Sequence, residues 1–215
     1  ARMISTRVSP DRLPVRLRYE APVVREESSL KGQPRQFTQL GVELVGGDGA
    51  AAEHEVVDLL AETLGALDVP AWRIVLGSVK PLKALLDTCA PSARFREEAL
   101  DEMVEKAAAA EELEPAAARA ICRIPRLVGG TEVVPALDAL LDEAGVEKDA
   151  RGTAELSHLV DSLSDLFADG RASFDFSIIN SFDYYTGIIF KGYAEGIAAS
   201  LASGGRYDAV LANLG

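Results

Sequence analysis

The sequence predicts an α/β (α+β) chain in which strands near both ends enclose a run of inserted helices. Three observations predict it. Residues 15–46 alternate apolar and polar positions on either side of a loop rich in Ser, Gly and Pro. From about Ala93 to Gly170 the composition shifts to Ala, Leu and Glu, and from Phe174 onward alternation returns, broken by turn residues. The expected organisation is a core built from residues 1–90 and 171–215, incomplete at both ends, with residues 91–170 as an inserted helical subdomain.

Val15 to Glu20 alternates as a half-buried strand, and Pro22 leads on into Val23-Val24-Arg25-Glu26-Glu27. Ser28 to Pro34 reads as a loop, and Arg35 to Gly46 as the returning strand. In that strand Phe37, Gln39, Gly41 and Glu43 share one face. Thr38, Leu40, Val42 and Leu44 share the other, which is expected to be the buried one. Gln39 and Glu43 then stand roughly 13 Å apart along the strand with no side chain at Gly41 between them. An amide and a carboxylate flanking a gap suit a small cationic or zwitterionic ligand. Without a resemblance to guide them, the same residues read first as a solvated strand face with a packing glycine.

A helix is expected from Asp48 or Gly49, with Val56, Leu59, Leu60, Leu64 and Leu67 at helical spacing, ending near Val69-Pro70. Trp72 to Leu76 reads as a strand and Pro81 opens another helix. Between Ala93 and Gly170, where no strand is expected, Pro115, Pro125, Gly129-Gly130, Pro135 and Gly145 divide the chain into short helices such as Phe95–Leu113 and Ala154–Phe167. Phe174 to Ile178 is expected as a strand, Asn180-Ser181 as a turn, Tyr184 to Phe190 as a strand with hydroxyls in its first half, Ile197 to Leu201 as a further strand, and Gly204-Gly205 as a tight turn before a helix.

The formal net charge is −12 and 48% of the residues are hydrophobic, enough for a substantial core. That charge argues against a large nucleic-acid footprint, which rests on concentrated Lys and Arg. Positive charge gathers near the N-terminus, at Arg2, Arg7, Arg12, Arg16, Arg18, Arg25 and Arg35. No apolar run reaches the roughly 20 residues a bilayer span needs, and the first residues lack the apolar core of a signal peptide, so the expected location is cytoplasmic and away from membranes. Cys89 and Cys122 read as buried reduced thiols, and His54 and His158 have no companion at metal spacing. Neither a metal nor a cofactor is expected.

Two groups of residues carry a resemblance. Asp183-Tyr184-Tyr185-Thr186-Gly187 followed by Gly204-Gly205-Arg206-Tyr207-Asp208 is similar to the histidine-specific signature of histidyl-tRNA synthetases, and Arg25-Glu26-Glu27 with Arg35 to Glu43 resembles motif 2 of the class II aminoacyl-tRNA synthetases. The resemblance implies a class II synthetase-like sheet, mixed but mostly antiparallel and flanked by helices. It also implies a histidine-like ligand pocket formed by Arg25, Gln39, Gly41, Glu43, Tyr184, Tyr185, Gly205 and Arg206. Arg25 would meet a phosphate or carboxylate, Gln39 the amino group of a bound histidine, and Glu43 with the Tyr185 hydroxyl its imidazole.

The departures from the synthetase pattern bear on chemistry. Where synthetases resemble Arg-Gly-Leu before the aspartate, this chain has Asn180-Ser181-Phe182, and arginines expected in the motif 2 loop fall on Gln33 and Ser28. Loss of positive charge opposite a phosphoryl transition state removes a contribution of several kcal/mol. A retained histidine pocket without those arginines resembles the regulatory subunits of ATP phosphoribosyltransferase. That resemblance implies a non-catalytic chain that dimerises, joins a short catalytic subunit in a hetero-octamer and takes part in feedback control by L-histidine in the first step of histidine biosynthesis. Two further readings fit the same motifs: a histidyl-tRNA synthetase fragment forming histidyl-adenylate, and a synthetase paralogue that acts as a binding module in another assembly.

Overall fold

The computed structural model describes residues 2–24, 36–47, 49–109, 112–179 and 184–212. Arg25, Ser28, Gln33, Arg35 and Asn180 to Asp183 lie outside the described residues, and so does the loop expected between the first two strands.

After the short helix α1 (Arg2–Arg7), strands β1 (Val15–Val24) and β2 (Gln36–Val45) form an antiparallel ribbon that pairs Val15 with Val45 and Val24 with Gln36. Pro22 has no N–H to give to a ladder, and it is accommodated because, among the described residues, β1 pairs on one side alone. Helix α2 (Gly49–Ala66) follows and buries Glu53, Val57, Ala61 and Leu64, so that of the apolar set expected to recur along it Leu64 is buried while Leu59 and Leu67 are exposed.

The second sheet has five strands: β3 (Arg73–Ser78), β4 (Val128–Gly129), β5 (Ala172–Asp175), β6 (Ile188–Tyr193) and β7 (Ala202–Gly205), in the order β4-β5-β3-β6-β7. The β3–β5 pair is parallel and the other pairs are antiparallel, so the sheet is mixed and mostly antiparallel, as the resemblance implies. Parallel neighbours cannot be joined by a hairpin, so the chain between β3 and β5 must cross over. It does so through α3 (Lys80–Cys89), α4 (Ala93–Arg96), α5 (Leu100–Ala108), α6 (Pro115–Arg123), α7 (Val133–Glu143), α8 (Thr153–Ser162) and α9 (Ser164–Ala168). Proline opens α3 and α6, and the Ser92 hydroxyl accepts from the Phe95 N–H to start α4. A last helix, α10, spans Ala209–Ala212.

One continuous core holds the sheet to these helices. Ile74 and Leu76 of β3, Phe174 of β5 and Phe176 beyond it are fully buried with Leu82, Leu85, Leu137, Leu141, Leu156 and Leu159. Phe167, Phe174 and Phe176 form a tilted aromatic row with centroids 5.3 and 6.4 Å apart. Each such aromatic contributes roughly 1.5–3 kcal/mol by leaving water.

Several expectations are corrected. The Thr38, Leu40, Val42 face of β2 is exposed, with Leu40 at 70%, because the ribbon approaches the rest of the chain with its Gln39, Gly41, Glu43 face. Tyr184 and Tyr185 precede β6, which begins at Ile188. Residues 176–178 form a 3-10 turn in place of strand, held by the Ser177 N–H donating to Asp175 Oδ1. Ile197 to Leu201 is irregular chain in place of strand, following a turn closed by Ile197 N–H to Ala194 O and tied back by Leu201 N–H to Gly192 O, and the expected Gly204-Gly205 turn is the end of β7. The helices expected at 95–113 and 154–167 are each divided, into α4 with α5 and α8 with α9. Val128-Gly129 adds a short strand in the stretch where none was expected. Cys89 and Cys122 are half-buried free thiols, not fully buried ones, and burial pushes the Cys89 thiol up.

Candidate functional site

The inward face of β2 and the residues flanking β6 and β7 meet in a cluster of aromatic and polar side chains. Glu43 accepts a hydrogen bond from the Tyr207 hydroxyl, 164 residues further along the chain. Tyr207 stacks on Tyr184 with centroids 5.1 Å apart and 26° between planes, and Tyr184 meets Tyr185 edge-on at 5.0 Å. Burial first, and then the charge of Glu43, push the phenols of Tyr207 and Tyr184 up, so both hydroxyls stay protonated donors.

Gly41 is not an open gap. In the antiparallel register it stands opposite Tyr19, whose ring lies across it so closely that a Cβ there would fall 2.1 Å from Tyr19 Cζ. Gln39 Nε2 donates to the Tyr19 hydroxyl at 2.5 Å. The expected space is therefore filled by a phenol, because a bare glycine opposite an aromatic on a ribbon leaves the ring free to fold over it.

The loop carrying Tyr184 and Tyr185 is tied down at several points. Lys83 Nζ of α3 donates to the Tyr185 carbonyl at 2.7 Å. The Thr186 N–H donates to Arg206 O at 2.7 Å, and the Arg206 N–H to Ile188 O at 2.9 Å. The Thr186 hydroxyl accepts from the Asp208 N–H at 3.1 Å, and Arg206 Nε donates to Asp208 Oδ2 at 2.7 Å. Gly205 lies against the Tyr185 ring.

Of the expected pocket, Gln39, Gly41, Glu43, Tyr184, Tyr185 and Gly205 lie in or against this cluster, and Arg25 lies outside the described residues. The Arg206 guanidinium is committed to Asp208 and Glu53. The phenol on Glu43 is that of Tyr207, where Tyr185 was expected. Tyr207 and Tyr19 are the site residues that sequence reasoning missed. The first is inside a motif already singled out, and the second follows from pairing β1 with β2 in register. A carboxylate that accepts from one phenol beside stacked ring faces, on the strand face that also carries an amide, is suited to a planar heteroaromatic group with N–H donors and a partial or full positive charge.

The fold is that of a class II aminoacyl-tRNA synthetase-like domain. The model of the histidyl-tRNA synthetase family matches residues 1–215, and the chain belongs to that family. Similar curated proteins are named ATP phosphoribosyltransferase regulatory subunit. That of Moorella thermoacetica is 32% identical over all of this chain and 56% of its own length, and that of Gloeobacter violaceus is 35% identical over all of this chain and 53% of its own. The chain thus spans about half the length of the curated relatives it matches. Among solved structures, an ATP phosphoribosyltransferase regulatory subunit/histidyl-tRNA synthetase from Bacillus halodurans C is 26% identical with a TM-score of 0.78, covering 99% of this chain and 56% of that one. The ATP phosphoribosyl transferase (HisG:HisZ) complex from Thermotoga maritima shares the fold at 18% identity and a TM-score of 0.67, covering 94% of this chain and 70% of that one.

Proposed function

We propose that this chain is part of a non-catalytic regulatory subunit of ATP phosphoribosyltransferase, one that binds L-histidine and activates a short catalytic subunit in the cytoplasm. The observation that carries the reading is the name shared by relatives at 32% and 35% identity across the whole chain. The Glu43, Tyr207, Tyr184 cluster supports histidine as the ligand, since a carboxylate and phenols satisfy both imidazole nitrogens. Asn180, Gln33 and Ser28 stand where adenylation would call for arginine, which supports the non-catalytic role. Self-association as a dimer and assembly into a hetero-octamer belong to the same proposal.

Charge distribution supports a protein partner over a tRNA. Residues 91–170 hold eight Lys and Arg against eighteen Asp and Glu, a net −10 within a chain of −12. Such a surface repels a phosphate backbone. The second reading, a histidyl-tRNA synthetase fragment, draws on the likeness to a histidine–tRNA ligase subunit from Alicyclobacillus acidocaldarius, 25% identical with a TM-score of 0.69.

The test is calorimetric titration of the chain with L-histidine, with and without ATP, beside an adenylation assay and reconstitution with a short ATP phosphoribosyltransferase catalytic subunit. Histidine binding without adenylate, together with increased phosphoribosyl transfer on mixing, is the expected result. Formation of histidyl-adenylate overturns it.

A further inference from the structure

We propose that Glu53, a residue outside the ligand cluster, is a positioning residue that fixes the Thr186-Gly187 and Gly205-Asp208 crossing through Arg206 and thereby sets the spacing of Tyr184, Tyr185 and Tyr207. Glu53 lies near the start of α2 and is 5% exposed. Neither carboxylate oxygen has a hydrogen-bond partner, and they are the buried side-chain oxygens in that condition among the described residues. A buried carboxylate that receives no hydrogen bond is costly, so its retention calls for a reason.

The surroundings supply one. Arg206 Nη1 stands 3.7 Å from Glu53 Oε1, an attraction across a short gap without direct bonding. Gly187 passes directly over the carboxylate, and a Cβ there would stand 3.0 Å from Glu53 Oε1 and 3.0 Å from Arg206 Cδ. The Gly187 carbonyl accepts from the Val79 N–H at 3.1 Å, which pins the loop from the other side. Glu53 therefore sits beneath the point where the two halves of the tyrosine motif cross, and it holds the arginine whose backbone bonds both Thr186 and Ile188. Lys80, which also acts on Glu53, is bonded to Glu155 of α8 at 2.5 Å, which leaves Arg206 as the group the carboxylate orients.

Amide hydrogen exchange tests this without any ligand, and L-histidine titration tests its consequence for the pocket, which rests on the function proposed above. In Glu53→Gln, exchange at Thr186 and Arg206 is expected to quicken by about tenfold or more while the β3–β5 amides keep their protection. L-histidine affinity is expected to fall about tenfold and to be restored in part by Glu53→Asp, which keeps the charge. Gly187→Ala, which displaces the carboxylate from above, is expected to give the same local pattern and stands in if the Gln variant does not fold. Unchanged exchange at Thr186 and Arg206 overturns the proposal, and so does equal loss of protection across β3–β5, which would make Glu53 a residue of the fold alone. If the wild-type chain does not bind L-histidine, the proposed ligand is lost, and the exchange result still decides the role of Glu53.

Discussion

Replacing Glu43 by Gln keeps the shape of the side chain and removes its charge. The bond it accepts from Tyr207 then changes from charge-assisted, worth roughly 1.5–3 kcal/mol, to neutral, worth roughly 0.5–1.5. The difference of about 1 kcal/mol is the expected loss of stability in denaturant titration, toward the low end because Glu43 is half-buried and partly screened. The phenols respond in a defined direction. Tyr207 is pushed up by burial first and by Glu43 second, so in the Gln variant it titrates at lower pH than in the wild type, while the contribution of burial remains. Tyrosinate absorbance reads this directly. Five tyrosines contribute to that signal, so Tyr207→Phe identifies the transition that moves. A ligand imidazole that shares the carboxylate loses a similar amount, about fivefold in Kd by calorimetry with L-histidine. Unchanged stability with an unmoved tyrosine titration would refute the reasoning, because it would mean that Tyr207 and Glu43 do not meet.

Further outcomes follow from the same structure. Tyr19→Phe removes the acceptor of the Gln39 amide and is expected to cost about 0.5–1.5 kcal/mol in chemical denaturation; a change within error would mean that the bond is replaced by water. Phe174→Ala empties a fully buried site between Phe167 and Phe176 and is expected to cost roughly 3–5 kcal/mol, read as a large fall in the denaturation midpoint. Glu53 gives a pH dependence. Burial raises its folded pKa above the ordinary 4.5, opposed by Arg206 and Lys80 and aided by Glu155, so its contribution is full below that value and is lost as pH rises through the folded pKa. The difference in thermal midpoint between wild type and Glu53→Gln is therefore expected to shift against the wild type as pH is raised from 4.5, and a pH-independent difference would contradict it.

Where each feature was legible depended on whether its cause was local. The two ribbon strands and α2 were readable because alternation and helical spacing are written within each segment. β7 was not, because Ala202 to Gly205 has no apolar pattern and becomes a strand by pairing its backbone with Ile189 to Gly192. The exposed and inward faces of β2 were exchanged for a related reason. Leu40 and Val42 are the more apolar residues, yet the polar face turns inward because it meets Tyr19 and Tyr207. Gly41 was readable as a position without a side chain, and Tyr19 was recoverable only by writing β1 against β2 in register. Glu53 gave no sequence signal, since one carboxylate near a helix start is ordinary and its burial depends on Gly187 and Arg206, more than 130 residues away.

That division also bears on how recognition and chemistry separate in a fold of this kind. On the proposed reading, recognition of a heteroaromatic ligand draws on Glu43, Gln39 and the tyrosines, which are held by a ribbon register, by the Lys83 bond to Tyr185 and by the crossing above Glu53. On the same reading, phosphoryl chemistry would draw on arginines between β1 and β2 and before Asp183, sequence positions other than those of the residues named for these contacts. Gln, Ser or Asn in place of arginine there leaves the identity of those residues unchanged, whereas loss of Glu43 or Gly187 disturbs the frame itself. On the proposed reading, a chain that senses an amino acid therefore needs only the rigid half of a synthetase site, and the loss of catalysis leaves affinity for the ligand intact.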